Sequence, residues 1–122
     1  LGRFEGGGMM WLRFRKWLNT ILEEHGPIEA VYFEEVQGLR GQDAARVFGG
    51  FLATLTQWCE SKNIPYKGEP VGQIKKHWTG KGNANKAAMI AEARKRGFKP
   101  ESHDDADALA LIHFVSERKE AA

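Results

Sequence analysis

The run "IEAVYFEEV", Ile28 to Val36, decides the class of fold. Val31, Tyr32 and Phe33 are β-branched or aromatic, the residue types that suit a pleated, half-buried surface. The run is short and largely apolar, as in a parallel strand covered on both faces, and it closes on two glutamates. Side chains alternate along a strand, so only one of these glutamates, Glu34, shares a face with Tyr32. A carboxylate at the carboxyl end of a parallel strand lies where α/β sheets place their functional residues. A strand that has simply run out into solvent reads the same way.

The flanks have helical periods. Upstream, "MMWLRFRKWLNTILEEHG" repeats apolar residues at Trp11, Phe14, Leu18, Ile21 and Leu22, and Gly26-Pro27 ends the pattern. Downstream, a glycine-bearing loop leads into a helix from about Gln42 to Ser61. Its expected buried face is Val47, Phe48, Phe51, Leu52, Leu55, Trp58 and Cys59. Gly49-Gly50 in mid-helix costs about 1 kcal/mol per glycine relative to alanine, which predicts close approach of another backbone there. "IPYKGEPV" reads as a second strand, Ile64 to Glu69, ended by Pro70. A short helix "VGQIKKHW", a loop "TGKGNAN" and a helix "KAAMIAEARKRG" follow, the last stopped by Gly97. The final helix begins at His103 or Asp104 and carries Leu111, Phe114 and Val115 on its apolar stripe. This alternation predicts an α/β domain with a parallel sheet edge, although two strands are few for so much helix.

The 122 residues suit one compact domain, expected to span 1–122. With 42% hydrophobic and 28% charged residues the chain is neither disordered nor fibrous. No apolar run approaches the ~20 residues of a membrane span, and "LGRFEGGG" has no signal-peptide core. A cytoplasmic location is expected. The single cysteine, Cys59, excludes an internal disulfide framework and a cysteine-based zinc site, and reads as a small core residue. The net charge is only +2, but it is unevenly spread. From Lys75 to Lys99 there are eight Lys or Arg and one acid, Glu92. The acids gather at Glu34–Glu35 and at Asp104–Asp107. A basic strip beside acidic nests is what a metal-dependent nuclease needs, since it must hold phosphates and divalent cations together.

The second acidic nest is "SHDDADALALI", Ser102 to Ile112. Asp104 and Asp107 are three apart and project as neighbours from one helix face, whereas Asp105 points elsewhere. Helix capping explains one or two of these acids. It explains less well Asp107, a full turn in. Strand-end and helix-start carboxylates converging on one place would suit Mg²⁺, a hard cation that takes oxygen ligands and keeps waters. Two such ions about 3.5–4 Å apart can promote phosphodiester hydrolysis.

"VYFEEV", "PVGQIKKHWTGKGNANKAAM" and "HDDADALALI", in this order and spacing, resemble the RuvC-type Holliday junction resolvases, and more narrowly a phage or prophage member of that group. The resemblance runs from about Glu29 to Phe114. Its most specific element is Asp104 to Ala110; the strand with Glu34 is moderately specific. It implies an RNase H-like fold, a mixed sheet flanked by helices. It also implies a structure-selective endonuclease that hydrolyses phosphodiesters in four-way (Holliday) junctions, in DNA recombination, repair or phage DNA processing, within a bacterial or phage-infected cell. Carried over by position, the catalytic metal ligands are Glu34, Asp104 and Asp107, with His103 and Asp105 as auxiliaries, around two Mg²⁺ or Mn²⁺ ions. Lys75 and Lys86 fall on family contacts to the DNA backbone, with Lys76, Lys81 and Arg40 as additions. The family works as a homodimer, for which Trp11, Phe14 and Trp17 offer a face, although core packing suits them better. Its members open with a strand bearing an aspartate in a D-x-G motif, and no such segment occurs here. The first strands and a fourth ligand are therefore expected outside these residues. A non-cleaving branched-DNA-binding domain of the same fold is the alternative reading. A metal-free interaction domain with capping acids is a third. His25, His77 and His113 are expected to stand outside the chemistry, and Trp78 to be buried.

Overall fold

The computed structural model describes residues 7–36 and 41–121, and the side chains of these except 7 and 119–121. The element order is α1 (Gly7–His25), β1 (Val31–Glu35), α2 (Gln42–Ser61), β2 (Tyr66–Pro70), α3 (Val71–Thr79), α4 (Lys86–Lys95) and α5 (His103–Ala121). β1 and β2 pair as a two-stranded parallel sheet, with α2 as the crossover that a parallel pair requires. The chain divides into two compact units, Leu1–Val31 with Gly38–Lys67 and Tyr32–Gln37 with Gly68–Ala122.

Both strands are shorter than the expected Ile28–Val36 and Ile64–Glu69, and hydrogen bonding gives the reason for the second. The Ile64 N–H closes the end of α2 by donating to the Cys59 carbonyl (2.9 Å), and Pro65 has no N–H to offer. The ladder therefore begins when the Val31 N–H donates to the Pro65 carbonyl (2.9 Å). Asn63 makes the turn out of α2 with φ of 57°, a left-handed conformation that asparagine tolerates.

In the first unit α1 packs on α2. Leu18, Leu55, Trp58, Cys59 and Ile64 are buried, so Cys59 is a core residue as expected. The Trp58 Nε1–H donates to Asn19 Oδ1 (2.8 Å), which satisfies a buried indole. Two expectations for α2 are corrected. Val47 is exposed, because it lines an open groove with Met10 and Trp11 of α1 instead of packing under them. Gly50 is approached by a side chain rather than a backbone: a Cβ there would overlap the Trp11 indole, while Gly49 faces open space.

The second unit has its core in α3, α4 and α5, where Ile74, Trp78, Ala84, Met89, Ala93, Ala106 and Ala110 form one cluster. Trp78 is buried, with its Nε1–H donating to the Met89 carbonyl (3.1 Å) and the Arg96 guanidinium 3.9 Å above its ring. Ala106 and Ala110, four apart, are fully buried and let α5 lie close on α3 and α4. Ala108, between them, is exposed. Gly97, with φ of 95°, ends α4 as expected.

Candidate functional site

Glu34 is the fourth residue of β1 and half-buried; Glu35 is exposed. The two faces of the strand can be told apart. A Cβ at Gly68 of β2 would meet the Phe33 ring and the Cβ of Glu35, so Phe33, Glu35 and Gly68 share one face. Alternation puts Tyr32 and Glu34 on the other. Tyr32 lines a groove with Leu111, Ile112, Val115 and Ser116, so that face looks onto α5. The β-strand period therefore delivers Glu34, and not Glu35, to the helix that carries the aspartates.

α5 begins with a capping arrangement that separates its acids by role. Ser102 Oγ accepts from the Asp105 N–H (3.3 Å), and the Asp105 carboxylate accepts from the Glu101 N–H (2.9 Å). Asp105 is thus committed to the helix start. Asp104 reaches His103, with Nε2 and Oδ1 3.1 Å apart, and its side chain is 83% exposed. Asp107, one turn in, is half-buried beside the fully buried Ala106.

Electrostatics ties these residues into one neighbourhood. Burial pushes the Glu34 carboxyl above the ordinary 4.5, and the negative charges of Asp107 and Asp104 push the same way, against Lys75. Burial likewise raises Asp107 above the ordinary 3.8, assisted by Asp104 and opposed by His103, Lys75 and Lys86. Charge interactions thus link Glu34 to Asp104, Asp107 and Lys75, and Asp107 to Asp104, His103, Lys75 and Lys86. Lys75 is half-buried, adjacent to the buried Ile74, and acts as a counter-charge to both raised carboxylates. That role was not visible in a reading that took it only as a phosphate contact. Lys76 is exposed. Lys81 lines a separate groove of about 470 Å³ with Asn83, Asn85, Ala88 and Lys95. Arg40 lies outside the described residues.

Whether these residues suit a cation has two answers. Their donor chemistry does: three carboxylates supply hard oxygens, and two of them stand raised by burial and by neighbouring aspartates, which a divalent cation would relieve. Their side-chain placement is looser. Among the described residues no group of three His, Cys, Asp or Glu is assembled closely enough to hold a metal ion. Asp104, turned out to His103, is the member farthest from the interior.

The pattern of residues missed one pair. Glu69, at the end of β2, is 1% exposed, and Arg118 of α5 grips it in a two-pronged contact: Nη1 donates to Oε2 (2.8 Å) and Nη2 to Oε1 (2.6 Å). A charge next to a strand-ending proline gave no signal of burial.

No protein-family model matches the chain, and no curated protein matches it in sequence. Among solved structures it is similar to Thermus thermophilus RuvC, with a TM-score of 0.70 and 24% identity over 93% of this chain and 71% of that one. It is also similar to T. thermophilus RuvC in complex with Holliday junction substrate, with a TM-score of 0.70 and 26% identity over 90% of this chain and 69% of that one. The chain thus has a RuvC-like mixed α/β fold.

Proposed function

We propose that the protein is a metal-dependent, structure-selective DNA endonuclease of the RuvC type, with an RNase H-like fold, that resolves four-way junctions by phosphodiester hydrolysis. The observation that carries this reading is that Asp104, Asp107 and Lys75 act electrostatically on Glu34, and Lys86 on Asp107, on a RuvC-like fold. Mg²⁺ or Mn²⁺, two ions per site, would be held by Glu34, Asp104 and Asp107, and supplies positive charge opposite the charge that builds on the phosphodiester. Glu34 contributes a carboxylate carried by a strand, and Asp107 one carried by a packed helix. Lys75 and Lys86 hold the DNA backbone near the acids, and Lys76, Lys81 and Arg40 are further candidate backbone contacts. Such pairings position the nucleic acid without reading its sequence. His103 holds Asp104, and Asp105 holds the helix start, as auxiliaries. The proposal includes a homodimer, which sets two sites on opposite strands of the junction, and a cytoplasmic setting in a bacterial or phage-infected cell.

Full-length protein with a labelled four-way junction tests the reading. Paired nicks that appear with Mg²⁺ and vanish with chelator support it; junction binding without nicks in Mg²⁺ or Mn²⁺ sinks it. The second outcome would favour a branched-DNA-binding domain that does not cut. One observation speaks for that alternative: the three carboxylates are not drawn into a closed cluster.

A further inference from the structure

Glu69 is the buried charged side chain of the described residues, and no role in the proposed chemistry uses it. Removing a carboxylate from water is costly unless a partner satisfies it, and the fork of Arg118 does so in the geometry that fits a carboxylate best. What the pair joins is informative. Gly68 lies on the Phe33 face of the sheet, so alternation puts its neighbour Glu69 on the opposite face, that of Tyr32 and Glu34. Arg118 belongs to a stripe of α5 that runs Asp107, Leu111, Val115, Arg118, spaced by four, four and three. Leu111 and Val115 line the groove with Tyr32. One end of this stripe meets Glu34 electrostatically, the middle meets Tyr32, and the other end is bolted to Glu69. The Arg118 guanidinium also lies 5.1 Å from the centre of the Phe114 ring, which limits its swing. An apolar groove alone would let a helix slide or roll; a two-pronged ion pair has one register.

We infer that the Glu69–Arg118 pair is a positioning device for the candidate site, setting α5 on the sheet face so that Asp107 stays beside Glu34. The inference rests on the proposed nuclease reading for its purpose, but not for its geometry, and the test keeps the two apart.

In full-length protein, Glu34→Cys with Asp107→Cys is treated with a short bifunctional thiol crosslinker, in the parent background and with Arg118→Lys or Glu69→Gln added. Cys59 is fully buried and does not compete. Lys81→Cys with Lys95→Cys, which line one groove away from the pair, serves as the control. Arg118→Lys keeps the charge but loses the fork. The expected result is a several-fold slower 34–107 crosslink in both variants, with an unchanged 81–95 crosslink and unchanged circular dichroism. With the native carboxylates restored, Mn²⁺ affinity is expected to fall about 10-fold or more, as for loss of other groups that orient metal ligands. Unchanged 34–107 crosslinking in folded variants overturns the inference and leaves the pair as a stabilising contact. An Arg118→Lys chain that cannot fold overturns it too, since the pair would then hold the fold rather than set the site. If the parent neither cuts junctions nor binds Mn²⁺, the nuclease reading fails, while the crosslinking rate still decides the role of the pair.

Discussion

At the scale of single residues, the two raised carboxylates carry the account. For Glu34 and Asp107 the folded state favours the protonated form, because burial and like charges disfavour ionisation. In metal-free protein each therefore contributes stability that is present at low pH. That stability is lost as pH rises through the raised folded values. Asp107→Asn is accordingly expected to raise the melting temperature in chelator at pH 7 and to leave it unchanged near pH 3. A lower melting temperature at pH 7 would mean that Asp107 is held by partners rather than strained by neighbours. A cation requires the ionised forms, so Mn²⁺ affinity is expected to fall as pH drops through the same raised window, and titration calorimetry at several pH values reads this directly. At the same scale, Asn19→Ala leaves the buried Trp58 indole N–H without its acceptor and should cost about 1–3 kcal/mol in denaturant unfolding.

At the scale of elements, two helix contacts make distinct predictions. Gly50→Ala puts a methyl group into the Trp11 indole and should destabilise α1 on α2 by about 1–3 kcal/mol, whereas Gly49→Ala, facing open space, should be stabilising through helix propensity. Chemical denaturation of the two variants side by side checks this; equal effects would contradict the packing. Helix positions were largely legible in the chain. The helix expected from about Gln42 to Ser61 spans Gln42–Ser61, because its apolar spacing was sustained. The strands were legible in place but not in extent, since a period of two cannot reveal that Ile64 spends its N–H on the helix before it. The Gly50 contact was misread for a related reason: a glycine announces close approach, but not whether backbone or side chain arrives. The site divides the same way. Strand alternation separated Glu34 from Glu35, and helix spacing put Asp104 and Asp107 on one face apart from Asp105, while their grouping came from the family resemblance. Glu69 and Arg118 are 49 residues apart and meet only through tertiary structure, so no local pattern foretold them.

At the scale of the whole molecule, charge and apolar surface make separate predictions about partners. If Lys75 and Lys86 each neutralise a phosphate, replacing either with alanine should weaken junction binding and flatten the slope of log affinity against log salt by about 1. An unchanged slope would leave them as counter-charges to the acids alone. The proposed homodimer now rests on fewer residues than the stretch around Trp11 suggested. Trp11 packs against Gly50 and Phe14 stacks on Phe51 with ring centres 5.2 Å apart, while Trp17 is 56% exposed. Trp17→Asp is thus the substitution expected to convert a sedimenting dimer into monomer without loss of fold.

The central question is whether Glu34, Asp104 and Asp107 act as one site on DNA. The most direct measurement is Mg²⁺-dependent cleavage of a labelled four-way junction by full-length protein, comparing the parent with Glu34→Gln, Asp104→Asn and Asp107→Asn at matched junction occupancy. Each substitution is expected to lower the cleavage rate by at least about 100-fold, beyond what losing an orienting group costs, with binding retained. Cleavage that persists at the parental rate in any one of the three would contradict it.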